Sequence, residues 1–119
     1  MHVLIVEDHP LLAVGLELLL EEQGHDLVGV VSSGEQAVAA AEQHRPDLII
    51  MDIALDGCMD GIDAAREIRS LLGIRSLFFT GVSDPETRQR AVAADPIAFL
   101  DKTSSPDQLR QVIAAIERR

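Results

Sequence analysis

The chain has 119 residues, 47% of them hydrophobic, which suits one domain with its own core and is too apolar for a disordered segment. Its 20 acidic against 10 basic side chains give a formal charge of −10, which argues against nucleic-acid binding or attraction to an anionic membrane through this chain. A single Cys excludes an internal disulfide and points to a reducing, cytoplasmic setting, while no signal peptide is visible and no apolar run nears the ~20 residues of a membrane span.

Short apolar runs alternate with longer helical patterns. His2 to Val6 reads as a first strand. Pro10 to Gln23 follows as a helix, with Pro at an early position and Gly24 as its stop. Asp26 to Val31 is a second strand. Ser33 caps a helix to about His44, and Ser33-Gly34-Glu35-Gln36 fits a capping box. Asp47 to Asp52 is a third strand, whose unbroken Leu48-Ile49-Ile50-Met51 predicts burial on both faces, as in a parallel sheet. Asp60 to Leu72 is a helix ended by Gly73, and Ile74 to Thr80 a fourth strand. Asp84-Pro85 opens a helix that fades near Ala94. Ala91, Val92 and Ala94 give it little to bury, so it is expected to be the most mobile. Ile97 to Leu100 is a fifth strand. Ser105-Pro106 opens the last helix, whose Leu109, Val112, Ile113 and Ile116 keep one helical face apolar.

Five strand–helix units in succession imply an α/β fold: a parallel sheet with helices on both faces. Residues 1–119 read as one domain, without repeat, low-complexity tract or linker. In such a sheet, ligands bind beyond the carboxyl ends of the strands. Glu7 and Asp8 follow the first strand, Asp52 closes the third, Thr80 closes the fourth and Lys102 follows the fifth. Clustered carboxylates repel one another, and an all-oxygen set suits a hard divalent ion such as Mg²⁺. Phosphoryl transfer needs a nucleophile and donors around the transferred charge. Asp52 can form an acyl phosphate. Lys102 is the only lysine of the chain and suits a point-charge role. Thr80 can donate its hydroxyl to a phosphoryl oxygen, beside the backbone N–H of Gly81.

Each residue also has an ordinary reading. Glu7-Asp8 suits a solvated loop, Asp52 a turn, Lys102 a surface position and Thr80 a β-branched strand site. Their coincidence on one edge is what favours a site. Phe99 fits a core aromatic. His2, His9, His25 and His44 lack metal-ligand spacing and read as surface or edge residues. Cys58 reads as an idle thiol. Leu16, Leu18, Leu19 and Leu20 read as core.

Five pieces in order, Leu4-Ile5-Val6-Glu7-Asp8-His9-Pro10, Asp47-Leu48-Ile49-Ile50-Met51-Asp52-Ile53, Met59-Asp60-Gly61-Ile62, Thr80-Gly81 and Phe99-Leu100-Asp101-Lys102, resemble the receiver domain of two-component response regulators over essentially the whole chain. The resemblance implies a flavodoxin-like, doubly wound sheet of strand order 2-1-3-4-5. It implies phosphotransfer from a phosphohistidine, on a sensor histidine kinase or phosphotransfer protein, to Asp52 with Mg²⁺. Asp8 would bind the metal directly, Glu7 mostly through water, and the carbonyl of Ala54 would be a further ligand. Thr80 and Phe99 would be a switch pair. The fourth helix, fifth strand and fifth helix would carry the signal to a downstream protein. The module would be a signalling domain rather than an enzyme, cytoplasmic, and a monomer or weak dimer. Leu77-Phe78-Phe79-Thr80-Gly81 resembles a subgroup of single-domain receivers that serve atypical kinases.

Departures from that pattern stand beside it. Asp56-Gly57-Cys58 replaces a Pro-containing loop and adds a residue. Gly81 replaces a more usual Ala. Thr103 follows Lys102 where Pro is usual, which puts a cis peptide there in doubt, since non-proline cis costs ~3 kcal/mol. Ala54 and Val82 hold positions that tune the lifetime of the phosphorylated state in the family, and neither side chain can orient water. An aspartyl phosphatase of the haloacid-dehalogenase pattern would want an Asp at position 54. A receiver that only binds partners would not need the full set of site residues. No dinucleotide or nucleoside-triphosphate motif occurs. The chain ends at Arg119, which fits a stand-alone receiver, a phosphate sink or part of a longer protein.

Overall fold

The computed structural model describes residues 1–82 and 84–118. Five strands and five helices alternate: β1 His2–Val6, α1 Pro10–Glu22, β2 Asp26–Val31, α2 Gly34–His44, β3 Leu48–Met51, α3 Gly61–Leu72, β4 Ser76–Thr80, α4 Pro85–Ala93, β5 Ala98–Asp101 and α5 Pro106–Glu117. All strand pairs are parallel, in the order β2-β1-β3-β4-β5. The parallel sheet is the one expected from the alternation, and its strand order is the one the resemblance implies.

Alternate strand residues feed two apolar layers. Leu4, Ile49, Met51 and Phe78 point to the face covered by α2, α3 and α4. Val3, Ile5, Ile50, Leu77 and Phe79 point to the face covered by α1 and α5. β3 is buried throughout, which is why its run is unbroken. Strand ends differ by one or two residues from the sequence reading. β4 starts at Ser76 because Arg75 turns aside to the carboxylate and carbonyl of Asp95. β5 covers Ala98–Asp101 because its register follows β4, pairing Thr80 with Asp101.

The helix ends are chemically explicit. Ser33 accepts the Gln36 N–H, but the Gln36 side chain reaches back to Ser32 rather than Ser33, so the expected capping box is only half formed. Complete boxes occur at Asp60/Asp63 and at Ser105/Gln108. Gly73 ends α3 with φ +72°, where a residue without Cβ is at ease. α4 buries only Ala91 within its length.

Two expectations about burial need correction. Leu18 is 60% exposed: Leu16, Leu19 and Leu20 face the sheet, while Leu18 shares an outer stripe with Leu11 and Val14. His25 is buried, because it enters β2 beneath the end of α5, with Nδ1 3.0 Å from the Met1 amine and 3.2 Å from Glu117 Oε2. His2, His9 and His44 are exposed as expected, and Cys58 is a free, exposed thiol. No cis peptide bond occurs among the described residues, so Lys102–Thr103 is trans.

Candidate functional site

The parallel sheet delivers Glu7, Asp52, Thr80 and Lys102 to one edge because each ends or follows a strand. The backbone fixes them there. Glu7 N–H donates to the Val31 carbonyl, Asp52 N–H to Val6, and Lys102 N–H to Thr80, at 2.9–3.0 Å. Carboxylate oxygens of Glu7, Asp8 and Asp52 lie within 4.8 Å of one another. Glu7 and Asp52 are buried and Asp8 is partly exposed.

Lys102 bridges the two buried carboxylates. Its Nζ lies 2.8 Å from Glu7 Oε1 and 2.9 Å from Asp52 Oδ2. Burial works against its positive charge, but hydrogen bonds to Glu7 and Asp52 outweigh that and hold the ammonium above the usual lysine range. The Glu7 carboxyl is raised as well, which for an acid disfavours the charged form. Burial pushes its carboxyl up, and the Lys102 and His9 N–H contacts do not fully offset this with Asp52 so near. Its Oε2 accepts the His9 N–H at 3.1 Å. Asp52 Oδ1 accepts the Ala54 N–H at 3.4 Å.

Three carboxylates thus gather on one edge, with a single ammonium between two of them. The set is all oxygen, pre-gathered and partly open through Asp8, which fits a hard divalent cation in donor type and spacing.

Thr80 is fully buried and its Oγ1 accepts the Val82 N–H at 3.2 Å. Among the described residues no hydrogen bond joins the side chain of Thr80, or Gly81, to the carboxylates. Phe99 lies one pleat away on β5. It is partly buried, edge-on to Phe78 at 6.3 Å, with the Arg88 guanidinium 4.5 Å from its ring centroid. It packs on the core through Phe78 and touches α4 through Arg88.

Gly61 enters the sequence pattern only as part of the Met59-Asp60-Gly61-Ile62 motif, yet it decides how closely α3 approaches the site. Its N–H donates to the Ile53 carbonyl at 2.9 Å. A Cβ at this position would lie 1.9 Å from the Asp52 carbonyl oxygen and 2.8 Å from Ile53 Cα. Glycine directly after a helix N-cap, close behind Asp52, was the available signal. Arg90 was also missed: Nη1 reaches Asp60 Oδ2 at 3.1 Å and Nη2 reaches Asp63 Oδ1 at 3.4 Å. Nothing local in the sequence marks that contact.

Residues 3–114 match the family model of the response regulator receiver domain. This chain belongs to that family. The receiver is 40% identical over 115 residues to the transcriptional regulatory protein PdtaR of Mycobacterium tuberculosis, covering 97% of this chain and 54% of that protein. It is 32% identical over 118 residues to the response regulator protein VraR of Staphylococcus aureus, covering 98% of this chain and 56% of that protein. The chain therefore spans a little over half the length of these relatives. Among solved structures, the signal receiver domain of a modulated diguanylate cyclase from Desulfovibrio desulfuricans superposes with a TM-score of 0.89 at 39% identity, covering 98% of this chain and 94% of that one. No helix among the described residues is long and apolar enough to cross a membrane.

Proposed function

We propose that this receiver takes a phosphoryl group on Asp52 from a phosphohistidine of a sensor histidine kinase or phosphotransfer protein. The observation that carries the reading is Lys102, whose ammonium sits within 2.9 Å of Asp52 and Glu7 beside a gathered set of three carboxylates. An Asp52 carboxylate oxygen forms the new P–O bond, the P–N bond of the donor breaks, and its electron pair returns to the imidazole nitrogen. Glu7, Asp8, Asp52 and the Ala54 carbonyl would hold Mg²⁺, which when bound offsets charge on the phosphoryl oxygens. Lys102 supplies a fixed positive charge at the same oxygens, where preorganised donors are most effective. Thr80 would release Val82 and turn its hydroxyl toward the phosphoryl group, with the Gly81 N–H alongside.

Phe99 links that event to a surface. It lies between the Phe78 core contact and Arg88 of α4, so a change of its rotamer alters α4 and β5 together. The α4–β5–α5 face would then present the signal to a downstream protein. The module itself would be a phosphoacceptor within a signalling chain, cytoplasmic and monomeric or weakly dimeric.

Acetyl phosphate with Mg²⁺ should add one phosphoryl group to the wild-type chain by intact-mass spectrometry, and none to Asp52→Asn. Labelling of Asp52→Asn, or a wild-type chain that stays unmodified, would overturn the assignment.

A further inference from the structure

Helix α4 poses a physical question, because only the small side chains of Ala91 and its C-cap Ala94 reach the core. Ala91 is the one buried residue within it, and an alanine methyl offers little area. Val92 is exposed. Two arginines just before Ala91 tie the helix to its neighbours. Arg88 stacks on Phe99 of β5, and Arg90 reaches Asp60 and Asp63 at the start of α3.

The second contact ends on a part of the molecule with no slack. Asp60 and Asp63 form the capping box of α3, each accepting a backbone N–H of the other. Two carboxylates so close together repel, and Arg90 is the cation that compensates both. Burial pushes the Asp60 carboxyl up, but the Asp63 N–H and Arg90 outweigh it and keep it below the usual range. The next residue, Gly61, lies against the Asp52 carbonyl too closely for a side chain. Any displacement of the Asp52 backbone must therefore move the capping box, and the capping box grips α4.

We propose that Arg90 is a positioning residue of the receiver, tying α4 through Asp60 and Asp63 to the backbone packed against Asp52. The assignment rests on the phosphoacceptor reading of Asp52. It adds a second route from the site to α4, independent of Thr80 and Phe99. The route is electrostatic: the Arg90 side chain is 45% exposed, so added salt weakens it.

Backbone-amide NMR of the whole chain, with beryllium fluoride and Mg²⁺ as the phosphoryl analogue, tests this. In wild type, shifts should change both at residues 52–54 and at residues 91–93. In Arg90→Ala, the change at 52–54 should persist while that at 91–93 falls about two- to five-fold, the range set by a partly exposed ion pair. Raising salt to about 0.5 M should lower the wild-type ratio toward that of the variant, since screening lengths shrink to a few ångströms, and should leave Arg90→Ala unmoved. Asp63→Asn should shift the ratio in the same direction by less, and serves if Arg90→Ala does not fold. A helix that merely needed Arg90 for stability would lose thermal midpoint without changing the ratio. An unchanged ratio in either variant, or a salt-independent ratio in wild type, overturns the proposal. A wild-type chain that does not respond at residues 52–54 instead overturns the phosphoacceptor reading.

Discussion

Gly61→Ala should destabilise the receiver, although Gly→Ala in a helix usually does the opposite. The added Cβ would sit 1.9 Å from the Asp52 carbonyl oxygen. Carbon and oxygen rarely approach closer than ~3.3 Å, so backbone must move by about 1.4 Å. The obstacle is main chain of the turn that follows β3, with no rotamer to yield. Overpacking of this kind costs about 3 kcal/mol. Loss of the Gly61 N–H bond to Ile53 adds about 1 kcal/mol, and the better helix propensity of Ala returns at most ~1 kcal/mol. The net is about 3 kcal/mol, or roughly 12 °C in thermal midpoint for a chain of this size. Gly15 in α1 is the internal control. A Cβ there meets nothing within 4 Å, so Gly15→Ala should raise stability by about 0.5–1 kcal/mol. Urea and thermal unfolding of both variants give opposite signs if the close approach is real. A Gly61→Ala chain as stable as wild type would refute it. The same variant should take up phosphoryl groups more slowly, because the displaced backbone carries Asp52.

Three further outcomes follow from the site and the caps. Lys102→Ala removes the cation between two buried carboxylates. Breaking a fully buried pair costs about 3–5 kcal/mol, and the 25% exposure of the Lys102 side chain reduces this to about 1–3 kcal/mol. It should also weaken the amide response of α4 and α5 to the phosphoryl analogue, and a response equal to wild type would remove Lys102 from the relay. Magnesium at ten times its dissociation constant should stabilise the fold by about 1.4 kcal/mol, near 5 °C, by simple linkage; Asp8→Asn should abolish most of that gain, and differential scanning fluorimetry with and without chelator decides. The backbone N–H of Thr87, in the first turn of α4, holds the Asp84 carboxyl below its usual range, and the Thr103 N–H does the same for Asp101. Both contributions are complete above the ordinary Asp range and fade as pH falls through the lowered folded values. Asp84→Asn keeps the cap but not the titration, so its urea midpoint should fall less between pH 5 and 3, and an unchanged profile would contradict the capping role.

Much of this molecule could be read directly from residue order. Leu48–Met51 is apolar without interruption because both faces of the central strand are covered, and that announces a parallel sheet. Once the strands are parallel, every residue after a strand lands on one edge. Glu7, Asp52, Thr80 and Lys102 could therefore be assembled without coordinates. What escaped depends on contacts between distant elements. His25 is buried by the tail of α5, and Arg90 meets carboxylates 27 and 30 residues away. Gln36 selected Ser32 over Ser33, a choice between two adjacent N–H groups that pattern matching cannot make. Leu18 is a different case: helical phase already separates it from Leu16 and Leu19, and a stretch rich in one residue type concealed the rotation.

The bridge formed by Lys102 also governs how this chain meets acylating chemistry. It carries one ε-amino group, clasped between Glu7 and Asp52 and held in its protonated form. Acyl transfer to an amine requires the free base, whose population that clasp suppresses. A reagent aimed at lysines would therefore react sluggishly here, and its rate would report whether the carboxylates still hold the ammonium. Each acyl group that did attach would erase the counter-charge of the pair in one step.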